Sequence, residues 1–453
     1  MSKKTEGSYI GLRYTGMDGE EIVDREGEGV VRREYRVEEY GAKADGITLC
    51  TKAIQAAIDE AARDGGKVVL GEGTYLSGSL FLKSGIEFYL SEGAVLLGVQ
   101  DEAEYPFVPS RVAGVEMEWP AGLLNVMNQV DVVISGPGTI DGQGEYWWKK
   151  YWGDDRKGGM RGVYEPQGLR WAVDYDCTRP RNIIVIHSEN IELKDFTCLR
   201  SGFWNIHLCY SRRVHVDGVQ VGENGGPSTD GIDIDSCDGV LIENAVISCN
   251  DDSICVKSGR DADGLRVNRV CENVTIQNCK LYAGAGITLG SETSGGIRNI
   301  HIRNNYYEGT DNGFRIKSAR TRGGVIENIK VENLQMVNVK NTFSFLLDWN
   351  PTYSYCALPE GYTGEVSERW KKLMERVPLE KGIPLVKNIQ IKNVKSVYTE
   401  EYEGKSNAFE IEALEGFPIE EVHFNQVEIT AKTFGRIKGV KGWKLDNVAL
   451  TIE

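Results

Sequence analysis

No apolar run in this 453-residue chain is long enough to cross a bilayer as a helix, which excludes a helical membrane span. Positive charge is scarce as well. The 52 Lys and Arg stand against 67 Asp and Glu, for a net charge of −15. A general nucleic-acid binder would show a basic surface, so neither nucleic acid nor membrane is an expected partner. The balance still admits one anionic ligand if basic residues gather at a single site. None of the ten Cys stands in a CxxC pair, and HExxH, Walker-loop and GxSxG motifs are absent. No metal and no cofactor is therefore expected. The opening MSKKTEGSYI lacks the apolar core of a leader, which makes a cytoplasmic location the expectation. Cys237, Cys255 and Cys279, inside strand-like runs, then read as reduced core residues. Proline is sparse (12) where glycine is abundant (53), the balance of a chain with many turns.

What the chain does contain is a repeat. Alternating apolar positions framed by Asn, Asp or Glu recur as ENIELKDF from Glu189, RRVHVDGV from Arg212, DGVLIENAVI from Asp238 and ENVTIQNCKL from Glu272. They return as RNIHIRNN from Arg298, ENIKVENL from Glu327, KNIQIKNV from Lys387 and EEVHFNQV from Glu420. The spacing, mostly roughly 23 to 34 residues, is that of a solenoid. Period-2 alternation makes its unit a strand. Strands that repeat without hairpin turns stack in parallel, so the expected fold is all-β, a single-stranded parallel β-helix, with Asn ladders at its bends. TKAIQAAIDEAARDGG, from Thr51, carries Ala53, Ile54, Ala57, Ile58 and Ala61 at helical spacing and predicts a helix capping the N-terminal end. Residues 1–34 read as an N-terminal extension and 35–453 as the β-helix. Two aromatic stretches break the rhythm: GEYWWKKYWGDD from Gly144, and an insertion at about 343–384 with FLLDWNPTYSYC and SERWKKLMERV. Such loops emerge on one face of a solenoid and shape binding sites.

Two acidic clusters, STDGIDIDSC from Ser228 and CNDDSICVKSG from Cys249, each run into a strand about one coil apart. If Ile232 and Ile234 point inward, Asp233 and Asp235 point out. The same parity puts Ser253, Cys255 and Lys257 out on the next coil, Thr288 after that, and Arg315 and Lys317 on the fourth. Asp230, Asp251 and Asp252 precede their strands and converge at the edge of this face. Carboxylates this close raise one another's pKa. That split supplies a proton donor and a water-activating base, as glycoside hydrolysis needs. Arg315 and Lys317 suit a substrate carboxylate, and Lys257, Arg260, Arg320 and Arg322 lie near the same rows. Taken singly, each Asp is a turn residue or a solvated face residue and the RxK a charged face. Their alignment on consecutive coils favours a site. Of the five His, only His207 in FWNIHL stands near it.

These stretches, with GSETSGGIRN and GTDNGFRIKSARTRGG in order, resemble glycoside hydrolase family 28, the polygalacturonase family of pectin-degrading enzymes, from about Val37 onward. The resemblance implies a right-handed β-helix of the pectin-lyase-like type and an inverting, metal-free hydrolysis. It makes Asp251 the general acid, and has Asp230 and Asp252 hold and deprotonate the water. Arg315 and Lys317 would bind a galacturonate carboxylate of a pectic oligosaccharide beside the cleaved bond. The two aromatic stretches, walling off one end of the groove, make attack from the chain end the expectation. Lys257, His207, Ser228 and Asp233 complete the expected substrate contacts. Two positions depart from the pattern. Ser228 replaces the usual Asn, and Gly284-Ala285-Gly286 stands where the family has Gly-His-Gly. The second departure keeps open a hydrolase acting on rhamnogalacturonan fragments. A calcium-dependent lyase and a non-catalytic carbohydrate-binding β-helix are the remaining alternatives.

Overall fold

The computed structural model describes residues 32–453 and the backbone of two short strands, Tyr14–Thr15 and Glu21–Ile22. The extension expected over residues 1–34 thus falls almost wholly outside the described residues. From Glu34 onward the chain winds as a right-handed parallel β-helix. One side is an eleven-stranded parallel sheet. Its central strands are Ile206–Cys209, Ile232–Asp235, Ile254–Lys257, Ile287–Leu289, Asn312–Lys317 and Asn341–Leu346. The remaining coil strands wrap the other sides as a continuous 23-stranded sheet.

The alternating residues explain why this stacks. Ile206, Ile232, Ile254, Ile287, Phe314, Phe343 and Phe409 lie directly above one another in register. All are buried in one continuous core, where each side chain removed from water contributes about 1.5–3 kcal/mol. At the bends, Asn273, Asn299, Asn328 and Asn388 all take positive φ, the left-handed region that Asn tolerates best after Gly. Asn299, Asn328 and Asn388 each donate to the amide on the coil before, as in Asn388 Nδ2 to Asn328 Oδ1 at 2.7 Å, and Asn273 donates to the Asp238 carboxylate. An amide is both donor and acceptor, so the ladder extends without a mismatch. The helix Thr51–Ala61 closes the N-terminal end, burying Ile54, Ala57, Ile58 and Ala61 against the first coils. All ten Cys are free thiols and nine are buried.

The irregular stretches do not hang free. The hairpin Phe107–Val112/Val115–Pro120, the helices Glu145–Trp152, Gly159–Tyr164 and Arg170–Asp176, and the short helices Pro351–Ser354 and Glu368–Leu373 dock over the outer face of the eleven-stranded sheet. Trp119, Trp171, Tyr175, Phe203, Trp204 and Trp370 form a second apolar cluster there, separate from the tube interior. The second insertion starts later than the expected residue 343. Phe343 and Phe345 belong to a coil strand and point inward, and the chain leaves the coil only after Leu346. Their aromatic character signalled a wider core at that level, where Phe343 stacks on Phe409 at 6.0 Å.

Replacing Phe343 with Ala should therefore lower the unfolding free energy by about 3–5 kcal/mol in chemical denaturation. A loss below about 1 kcal/mol would contradict its place in the stack.

Candidate active site

The parity read from the sequence holds across the site strands. His207, Asp233, Cys255, Thr288 and Arg315 are successive partners on the outer face, and Cys209, Asp235 and Lys257 form the neighbouring row. Asp230 and Asp252 are tied across coils by the turn backbone: the Gly231 N–H donates to the Asp252 carbonyl at 2.9 Å. An oxygen from each of Asp230, Asp251 and Asp252 lies within 4.8 Å of the others. Asp230 and Asp251 open onto a recess that Ser228, Lys257 and Lys317 also line.

The docked insertions change the character of this face. Asp233 and His207, expected at the substrate, are fully buried behind the recess and do not line it. Asp233 and Asp235 are not the solvated face residues that strand parity alone suggests, because the hairpin places Arg111 against Asp235 at 2.9 Å. Arg260 and Arg322 are buried too, both ion-paired with Asp261. Arg320 is exposed and does not line the recess. In exchange the insertions supply recess walls that strand alternation could not reveal. Arg170 and Asp174 form an ion pair beside Ser228, and the Tyr353 ring lies 5.5 Å from the Arg170 guanidinium with Trp349 next to it. Trp204 and Glu292 complete the lining. Glu292 belongs to the GSETSGG stretch, and Trp349 and Tyr353 to the aromatic insertion, so those segments carried a signal without pointing to the residue. Ala285, in place of the family His, is held by its own N–H, which donates to the Asp251 carbonyl at 2.7 Å.

Carboxyl groups outnumber cations in this cluster, five to three. Lys257 Nζ stands 3.2 Å from Glu292, 3.5 Å from Asp233 and 3.8 Å from Asp230. Asp252 contacts the Arg315 guanidinium, lies 2.8 Å from Lys317 Nζ and accepts from Thr288 Oγ1 at 3.0 Å. These surroundings split the carboxyl groups. Burial opposes ionisation of Asp252, but Arg315, Lys317 and Lys257 outweigh it and hold it far below the ordinary range. Burial and then the charge of Asp252 push Asp251 up. Burial, with Asp233 and Asp251 beside it, pushes Asp230 well up. Burial lifts Asp233 to about 7 although Lys257 pulls the other way. Desolvation drives His207 well down, so its imidazole is neutral. The three clustered carboxylates could reach one cation, but Lys257, Arg315 and Lys317 already supply positive charge where a metal would bring it.

A parallel β-helix with a carboxylate cluster beside a walled recess does not by itself fix a function, and relatives narrow it. The profile of Glycosyl hydrolases family 28 matches residues 116–353, and the chain belongs to that family. A second profile, Rhamnogalacturonase A/epimerase, pectate lyase-like, matches residues 35–89, which hold none of the acidic clusters. A "Probable polygalacturonase" of Vitis vinifera is 33% identical over 67% of this chain, and an "Exo-poly-alpha-D-galacturonosidase" of Dickeya chrysanthemi is 28% identical over 72%. The chain spans 61% and 59% of the lengths of these two relatives. The crystal structure of an exopolygalacturonase from Thermotoga maritima superposes with a TM-score of 0.77 at 26% identity, covering 92% of each chain.

The buried carboxyls make stability depend on pH in opposite directions. The folded pKa of Asp233, about 7, is above its ordinary 3.8, so its contribution is full below 3.8 and lost as pH rises through 7. Glu292 is the reverse. Burial resists its charge, yet Lys257 leads the cations that hold it at about 2, so its contribution is present above 4.5 and lost as pH falls toward 2. Melting curves of Asp233→Asn should gain on the parent protein between pH 5 and pH 8. A difference in Tm that does not change with pH would contradict this.

Proposed function

We propose that the protein is an inverting glycoside hydrolase that removes galacturonate from the end of pectic oligosaccharides. The observation that carries the reading is the convergence of Asp230, Asp251 and Asp252, the first two lining the recess and the third just behind it on Arg315 and Lys317. Asp251, whose pKa is raised by burial and by Asp252, is the carboxyl suited to give the leaving glycosidic oxygen its proton. Asp252, firmly ionised, is the carboxylate able to receive the proton of the attacking water, and Asp230 orients that water. The carboxylate oxygens approach more closely than the ~6.5–9.5 Å usual for inverting pairs. A gap within 4.8 Å is one that a single water spans with two hydrogen bonds of about 2.7–2.8 Å. The water then sits between carboxylates rather than across an open cleft.

Arg315 and Lys317 are the candidates to hold the uronate carboxylate, with Lys317 lining the recess and stacked 4.4 Å from the Trp349 ring. Attack at the chain end is supported by the walls. The Arg170–Asp176 helix and the Trp349–Tyr353 segment both contribute walls to the recess, where a continuing polymer would need an open groove. The names of the Dickeya and Thermotoga relatives point the same way.

Purified protein acting on a galacturonate oligosaccharide should release monosaccharide from the first minutes, with the anomeric configuration inverted in an NMR time course. Mid-length early products would contradict end attack. Asp251→Asn should lower the rate by about 10²–10⁴ while leaving binding largely intact. Chelation should change nothing, and an unsaturated product abolished by EDTA would replace the hydrolase with a lyase.

A further inference from the structure

The two cations expected to receive the substrate carboxylate are already engaged. Arg315 contacts Asp252 Oδ1 and donates its Nε–H to Thr288 Oγ1 at 3.1 Å, while Lys317 lies 2.8 Å from Asp252 Oδ2. Asp252 itself is completely buried, and unlike Asp230 and Asp251 it does not line the recess. Lys317 lines the recess, and the Arg315 side chain beside it is 12% exposed where Asp252 is not exposed at all, so a ligand in the recess meets Lys317 before it meets Asp252. The residue best placed by charge to act as a base is therefore shut behind Lys317, one of the two cations expected to hold the sugar carboxylate.

We propose that the Asp252–Arg315/Lys317 ion pairs form a substrate-responsive latch, in which a uronate carboxylate takes over the two cations and frees Asp252 to accept the proton of the attacking water. The inference rests on the hydrolase reading above. It makes Arg315 and Lys317 specificity determinants of the chemical step as well as of binding. Two cations facing one carboxylate leave a positive charge over, which a second carboxylate neutralises. The other groups facing Asp252 do not change that count when sugar arrives: Asp230 and Asp251 at the turns, Asp233 and Lys257 on the neighbouring strands, and the neutral Cys255 and Thr288. A carboxylate so firmly ionised is a weak base, because proton-transfer efficiency falls with basicity. Sharing its cations with the substrate restores that basicity only when a charged sugar is present.

The proton balance closes. Water gives one proton to Asp252 and its oxygen bonds to the anomeric carbon. The glycosidic bond breaks toward the leaving oxygen, which takes the proton of Asp251. Asp251 ends ionised and Asp252 protonated, and exchange with solvent restores the starting state.

The test compares digalacturonate with its analogue in which the reducing-side carboxyl is a methyl ester, with kcat and KM measured separately. The latch predicts that the ester lowers kcat by about 10²-fold or more, toward the worth of a general base, in addition to raising KM. It also predicts that formate, a free carboxylate small enough to reach Arg315 and Lys317, restores part of kcat with the ester and none with the free acid. An ester that raises KM and keeps kcat within about threefold overturns the latch. A fallen kcat without rescue by formate overturns it too, since the carboxylate then acts through its position in the sugar. Absence of any hydrolysis of the free acid refutes the hydrolase reading itself, which separates the two failures.

Discussion

In-register stacking of parallel coils is the constraint on which everything else rests. A residue's partner on the next coil is about 4.8 Å away whatever the loop between them. Asp230 and Asp252 are brought together in this way, by a backbone bond from the Gly231 N–H to the Asp252 carbonyl rather than by side-chain recognition. The inward ladder of Ile232, Ile254, Ile287 and Phe314 fixes the register, because a one-residue slip would turn every apolar side chain outward. The core therefore sets the geometry of the outer face, where the carboxyl groups and cations gather.

The charges on that face would not persist in isolation. Five carboxyl groups and three cations are held together at low exposure, and unpaired buried charge is costly. The arrangement survives because each cation serves more than one carboxylate. Lys257 is shared by Asp230, Asp233 and Glu292, and Asp252 draws on both Arg315 and Lys317. The surplus of carboxyls over cations is met by retained protons. Burial thus raises Asp251 toward its protonated form, while Arg315 and Lys317 overcome the same burial to keep Asp252 ionised beside it.

How much of this was legible in the sequence follows from the range of the interactions. Strand alternation within a coil and its recurrence between coils are local and periodic. They sufficed for the β-helix, the capping helix, the Asn ladders and the outward row of Asp233, Lys257, Arg315 and Lys317. The burial of that row was not legible. It arises where Trp119, Trp171 and Trp370, from three separate insertions, pack on one another, and no period links them. For the same reason His207 and Asp233 looked accessible and are not, while Arg170, Asp174 and Trp204 gave no sign of reaching the recess. The start of the second insertion was misplaced because Phe343 and Phe345 read as loop aromatics, although their alternation already marked them as core.

The most direct measurement is a crystal structure of Asp251→Asn with a bound galacturonate oligosaccharide. The account predicts a glycosidic oxygen at residue 251, a water between Asp230 and Asp252, and a sugar carboxylate on Arg315 and Lys317 with their contacts to Asp252 lengthened. A sugar bound elsewhere on the coil, or one that leaves both cations on Asp252 unchanged, would contradict it.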